Sequence, residues 1–295
     1  MKKLKRPLSF EEQVEKLSEH NMVIDDKEFA ISILQKENYY RFTGYALQQR
    51  RNSHDSDYID GTTFNNIYRI CLFDHKMRGV LREFIEIAEI YYRTQISYGF
   101  SIKKCCDCPH DQHYQENNFY NKSGYEEVMR SFEQAKNYYK DSLIMQHHKD
   151  SYGGRLPLWA MVEMLSFSNL SKLYSCMYSS EQESIAQNVG TGHRMLKNHL
   201  HCLSVLRNKC AHAARLYNRS FNPPAMFNKS FLRNNPDIKT DTLFAYILVL
   251  LKRLPDENSK QRFSSAIFSV IEEFESDIDF QHIGFPSNYK DYLKG

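Results

Sequence analysis

From Leu206 to Arg219 the chain reads Leu-Arg-Asn-Lys-Cys-Ala-His-Ala-Ala-Arg-Leu-Tyr-Asn-Arg, which places Arg207 and Asn208 five and four residues ahead of His212. Those side-chain types suit chemistry on a ribose-phosphate chain. A histidine ionises near neutrality and can take the proton of a ribose 2′-hydroxyl, while a guanidinium offers a permanent planar fork to the charge gathering on phosphate oxygens. Such a reaction needs no metal. Arg207, Asn208 and His212 are therefore the candidate catalytic residues. Five residues of regular helix separate two side chains by about 140°, so Arg207 and His212 cannot point the same way from one undistorted helix. Either the helix ends or distorts between them, or a second copy of the chain completes the site.

The charge around this run fits a polyanion. From Ser184 to Pro236 there is no Asp or Glu, and Arg194, Lys197, Arg207, Lys209, Arg215, Arg219, Lys229 and Arg233 contribute +8, although the whole chain carries only +3. Clustered cations neutralise phosphates and release their counterions. On this basis Arg194, Lys197, Lys209, Arg215 and Arg219 are candidate RNA contacts; the competing reading is a solvated helix face whose acids lie opposite it in space. Tyr40 and Arg41, beside Tyr39 and Tyr45, offer rings and a guanidinium plane on which unpaired bases stack. Wedging of the N-terminal helices onto the main body is the preferred role for that cluster. Glu89 and Arg93, one turn apart, read first as an intrahelical ion pair. Together with Glu163 they could also orient the histidine or hold the arginine of the candidate site.

Cys105, Cys108, His110 and His113 form Cys-x2-Cys just ahead of His-x2-His. These are legitimate zinc ligands. One short connector would have to supply all four, however, so a solvent-exposed polar loop is the reading preferred over a metal site. Phosphate loops, dinucleotide fingerprints and serine nucleophile elbows are absent from the sequence, and no cofactor is expected.

The elements that must position these residues are helical. With 41% hydrophobic and 25% charged residues in 295, the composition is that of a globular protein, and 11 Gly and 8 Pro are few for its length. The longest apolar run, Leu243 to Leu251, is half of a membrane span, so no membrane association is expected. The basic N-terminus leads into no apolar secretory core. Seven cysteines without an export signal point to reduced thiols in a cytosol. Ser9-Phe10-Glu11-Glu12 is a capping box that opens a helix from Phe10 to Glu19. Asp25 or Asp26 caps a second helix, and Asn52 to Gly61 reads as a linker, which bounds an N-terminal helical subdomain at 1–60. Thr62 or Thr63 opens the longest helix, whose apolar face runs to about Ile96. Further helices are expected over 125–148, 158–178, 181–189, 193–216, 240–254 and 256–275, making a domain of 61–280 with a tail at 281–295.

Four ordered segments resemble one family. Arg-Asn-x-Cys-Ala-His-x-x-Arg-Leu-x-Asn-Arg at 207–219 is similar to the signature of the Abi-like proteins, bacterial abortive-infection proteins related to some that bind small structured RNAs, and its Arg-x4-His spacing is that of HEPN ribonucleases. Asn38 to Tyr45, Ile85 to Arg93, and Pro157-Leu158-Trp159 followed by Glu163, Ser166, Phe167, Leu170 and Ser171 resemble the other family blocks in the same order. The resemblance implies an all-α, HEPN-like helical bundle, a role in phage defence, RNA as ligand and a homodimer with Arg207 and His212 near its two-fold axis. The expected activity is metal-independent endoribonuclease action; the alternative is a non-catalytic module that forms a ribonucleoprotein with a small structured RNA. Where relatives often carry a second consecutive histidine, this chain has Ala213.

Overall fold

A computed structural model describes residues 4–52 and 56–294; residues 53–55 of the expected linker, together with 1–3 and 295, lie outside the described residues. The fold is all-α. Fourteen helices are present among the described residues, which hold no strand beyond three isolated bridges. In chain order they are α1 Phe10–Glu19, α2 Lys27–Leu34, α3 Tyr39–Tyr45, α4 Phe64–Lys104, α5 Lys122–Tyr138, α6 Leu143–Tyr152, α7 Leu158–Met161, α8 Phe167–Cys176, α9 Ser179–Asn188, α10 His193–Ala211, α11 Lys229–Asn234, α12 Leu243–Arg253, α13 Glu257–Phe274 and α14 Tyr289–Leu293.

Local chemistry explains the helix starts. Ser9 Oγ accepts the Glu12 amide while the Glu12 carboxylate accepts the Ser9 amide, closing the capping box of α1. Asn38, Thr63, Thr242 and Asp256 cap α3, α4, α12 and α13 in the same side-chain-to-amide fashion. The 41-residue α4 is the axis of the molecule, and α10, α12, α13 and the short α3 all pack on it. Its buried face runs from Phe64 through Leu81 and Ile85 to Phe100, about one turn past the expected end at Ile96. Helix α12 is buried nearly all round, which is why Leu243 to Leu251 is continuously apolar without crossing a membrane. No helix among the described residues is long and apolar enough to do so.

Three expected helices differ in the structure. The segment expected to be helical over 125–148 is two helices, α5 and α6, separated at Tyr139–Ser142. The one expected over 158–178 breaks: α7 passes through a 3-10 turn at Val162–Met164 to an extended Leu165, and Ser166 then caps α8 by accepting the Asn169 amide. The basic helix stops at Ala211 instead of about Leu216, with His212 as its C-cap. The segment set apart as a tail is packed against the bundle through Ile283, Phe285, Tyr289 and Leu293.

Candidate functional site

Helix α10 turns sharply at its C-terminus. The Ala214 amide donates to the Lys209 carbonyl at 2.8 Å and the Ala213 amide to the Cys210 carbonyl at 3.3 Å, the paired bonds of a Schellman motif. Ala213 takes the left-handed position at φ 51° that glycine normally fills. A side chain there costs about 1–2 kcal/mol. Ala213→Gly is therefore expected to stabilise the protein by roughly 0.5–1 kcal/mol in chemical denaturation, because the relief of strain exceeds glycine's extra chain entropy. An unchanged or lower midpoint would show that the turn is not strained.

The chain leaving this turn is held by a buried carboxylate. Asp74, on the core face of α4, accepts the Leu216 amide at 3.0 Å and the Tyr217 amide at 2.8 Å, together with the Tyr45 hydroxyl at 2.7 Å and Arg78 Nη1 at 2.5 Å. Arg78 also donates to the Ala214 carbonyl. Arg41 of α3 pairs with Glu37 and donates to the Ala213 carbonyl. The N-terminal helices thus brace the motif's exit. Tyr45 is buried in this clamp, and Tyr40 alone of the pair Tyr40 and Arg41 projects freely, 84% exposed.

Helix α10 is regular up to its cap, with the His212 amide donating to the Asn208 carbonyl at 3.0 Å. No distortion falls between Arg207 and His212, so they leave the helix about 140° apart. Arg207 lies over a cavity of about 380 Å³ lined also by Arg82, Glu86, Glu89, Ile90, Arg93 and Ala211. Its Nε is 3.8 Å from Glu89 Oε2, and its side chain remains 41% exposed. Glu89 in turn binds Arg93 at 2.6 Å. Arg93 donates to the Glu163 and Leu165 carbonyls, each at 3.0 Å, and meets the Glu163 carboxylate at 3.3 Å. Those carbonyls are free because the helix breaks there. Glu89, Arg93 and Glu163 are thereby one chain of contacts from the α7–α8 break to Arg207.

His212 is exposed at the tip of α10, one turn beyond Asn208 on the same face. Asn208 Nδ2 donates to Ser168 Oγ at 3.0 Å, which ties α10 to α8. Arg194, Lys197, Lys209, Arg215 and Arg219 make no ion pair among the described residues, whereas Arg41, Arg78, Arg93 and Arg155 all have carboxylate partners. Burial and then the Arg219 charge pull the Lys209 ammonium and the Arg215 guanidinium below their ordinary values. Arg215 Nη1 is buried with no hydrogen-bond partner. Cys210, inside the motif, is a packing residue whose thiol burial pushes up to about 12.

The Cys/His connector corrects both readings offered for it. Its four side chains are not gathered: Cys108 is exposed, His110 turns its ring to the Cys105 carbonyl, and His113 is buried with Nε2 donating to the Leu156 carbonyl at 3.0 Å. No group of three His, Cys, Asp or Glu is placed to hold a metal among the described residues. Nor is the loop a wholly solvated one, since His113 anchors it in the core and its carbonyl accepts the Tyr125 hydroxyl. All seven cysteines are unpaired.

Burial lowers His113 and His199 to a pKa of about 4. Both are neutral in the fold, so the unfolded chain binds the extra proton first. Their contribution is complete above about pH 6.5 and lost as the pH falls toward 4. At pH 5 each is expected to remove about 2 kcal/mol of stability relative to pH 7, and denaturation of His113→Gln at the two pH values should show a drop smaller by that amount. An equal drop in the variant and the native chain would place the lost stability elsewhere.

The model of the family described as Abi-like protein matches residues 32–218, well over half of the chain. The chain belongs to the Abi-like protein family. No curated protein and no solved structure matches it. In this Abi-like chain the matched span takes in the α3 brace, the central α4, the α7–α8 break and the whole of α10 with its Schellman turn, and it stops at Asn218 just after the residues Asp74 holds. Membership supports a role in abortive infection.

Sequence reading missed Asp74 and Arg78. A signal was present: Asp74 occupies a core-face position between Ile70 and Met77 on α4, where a carboxylate breaks an otherwise apolar line. It also missed the polar face of α8, where Ser168, Ser171 and Lys172 lie across from α10. No signal in the local pattern marks that juxtaposition.

Proposed function

We propose that this Abi-like chain binds RNA on the acid-free face of α10 and its exit segment and cleaves it as a metal-independent HEPN-type endoribonuclease. The observation that carries the reading is the state of the motif's cations: Arg207 is steadied by Glu89 yet open to solvent, and Arg194, Lys197, Lys209, Arg215 and Arg219 form no ion pair with a carboxylate among the described residues. In the reaction His212 takes the 2′-hydroxyl proton and the 2′-oxygen bonds to phosphorus. The bond to the 5′-oxygen then breaks, and that oxygen takes a proton from water. Arg207 stabilises the charge on the non-bridging oxygens. The products are a 2′,3′-cyclic phosphate and a 5′-hydroxyl.

The 140° divergence on one helix leads to a homodimer in which His212 of one copy works with Arg207 of the other. Exposed Ile90 at the rim of the Arg207 cavity supports α4 as the contact. The same divergence, in a monomer, favours the non-catalytic reading in which a small structured RNA is only bound. End-group analysis of RNA incubated with purified protein separates the two. Cyclic phosphate ends support cleavage; salt-sensitive binding without them supports the binding module; neither result would refute RNA as the ligand's class.

A further inference from the structure

Between α8 and α10 runs a groove of about 680 Å³, lined also by Pro223 and Met226. Lys172, Arg194, Lys197 and His201 stand along it, Ser168 and Ser171 form part of its floor, and no carboxylate is among its lining residues. Lys172 reaches out to Glu127 on α5, which lies outside the groove. Side chains of α10 at 194, 197, 201, 204 and 208 fall on one stripe by helical spacing, and His212 continues it one turn further. Arg194 to Asn208 covers roughly 21 Å at the 1.5 Å rise of a helix.

We infer that this groove takes a single-stranded segment of RNA and delivers it to His212. The inference rests on RNA being the ligand and adds the form in which RNA is bound and its path. Two helices in contact lie about 8–10 Å axis to axis, so the cleft between them admits one strand and excludes a duplex. Three cations on its walls suit successive phosphates, and serine hydroxyls and the amides of Asn198 and Asn208 suit ribose hydroxyls, the group that separates RNA from DNA. Asn198 is already fixed, its Oδ1 accepting the Met226 amide at 2.7 Å and its Nδ2 donating to the Pro224 carbonyl at 3.0 Å. Asn208 is likewise fixed by Ser168. A strand passing Asn208 reaches the face that carries His212, whereas Arg207 faces the other cavity.

The test is equilibrium binding of a labelled ten-nucleotide single-stranded RNA and of the same sequence as a duplex, by fluorescence anisotropy at fixed salt. The native chain is expected to bind the single strand at least tenfold more tightly. His201→Trp, which obstructs the groove from an exposed position, and Lys172→Glu are each expected to weaken single-strand binding at least tenfold. Lys149→Glu, the same charge change on exposed α6, should alter it less than twofold. Equal affinity for strand and duplex, or native affinity in both groove variants, overturns the groove while leaving RNA binding intact. Absence of any salt-dependent binding by the native chain overturns the underlying reading as well.

Discussion

Arg207→Ala and His212→Ala are each expected to lower RNA cleavage by about 10²–10⁴-fold, the range that a positioned acid-base or charge-stabilising group supplies. Neither should unfold the protein, because His212 is exposed and Arg207 has only the 3.8 Å contact to Glu89 to lose. The two losses carry different information when the variants are combined. If each site draws His212 from one copy and Arg207 from the other, mixing the two inactive proteins creates heterodimers with one intact site, and activity returns to a sizeable fraction of the native level. If both groups serve one site within a chain, the mixture stays inactive. Cleavage by His212→Ala at the native rate would remove the histidine from the reaction and with it the proposed mechanism. Asn208→Ala is a useful companion, since its amide ties α10 to Ser168 of α8 and its loss should disturb the groove's end more than the chemistry.

Asp74→Ala is expected to cost about 3–5 kcal/mol, the usual penalty for stripping one partner from a buried ion pair. The carboxylate is wholly buried and Arg78 is nearly so, and removal also orphans the Tyr45 hydroxyl and the amides of Leu216 and Tyr217. Against a typical total of about 5–15 kcal/mol, this threatens the fold itself. Asp74→Asn is the informative partner, since it keeps an acceptor for the backbone amides while leaving Arg78 without its counter-charge. Urea denaturation of both variants measures the effect; a loss below about 1 kcal/mol for Asp74→Ala would show that the clamp is dispensable. Where the protein stays folded, the segment after the Schellman turn should loosen, exposing the Leu216 and Tyr217 amides to hydrogen exchange.

These two experiments separate what holds the motif from what the motif does. The clamp joins α3, α4 and the end of α10 through buried groups, while Arg194, Lys197, Arg219 and His212 face solvent. Arg41 belongs with the clamp, since Glu37 and the Ala213 carbonyl occupy its guanidinium. Tyr40 is exposed and takes no part in the clamp.

Much of the helical frame was legible because its signals are local. A capping residue and its target amide lie within three positions, so Ser9, Thr63 and Asp256 announce their helices without reference to the rest of the chain. The periodicity of α4 and the absence of acids from Ser184 to Pro236 are likewise properties of a stretch read by itself. The family blocks at 38–45, 85–93, 157–171 and 207–219 were visible as patterns. What each block accomplishes was not. Arg93 finds its carbonyls only because the chain breaks at Leu165, seventy-two residues away, and the segment leaving α10 is held by Asp74 of the adjoining α4, which captures two of its amides. Sequence alone determined that this protein is helical, that one of its helices is rich in cations with no acid in the same stretch, and that Arg207 and His212 belong to that stretch. Only tertiary structure decided which way those two face, which carboxylate steadies the arginine, and which neighbouring helix turns a basic surface into a groove, because contacts between distant segments are set by packing and not by the order of residues along the chain.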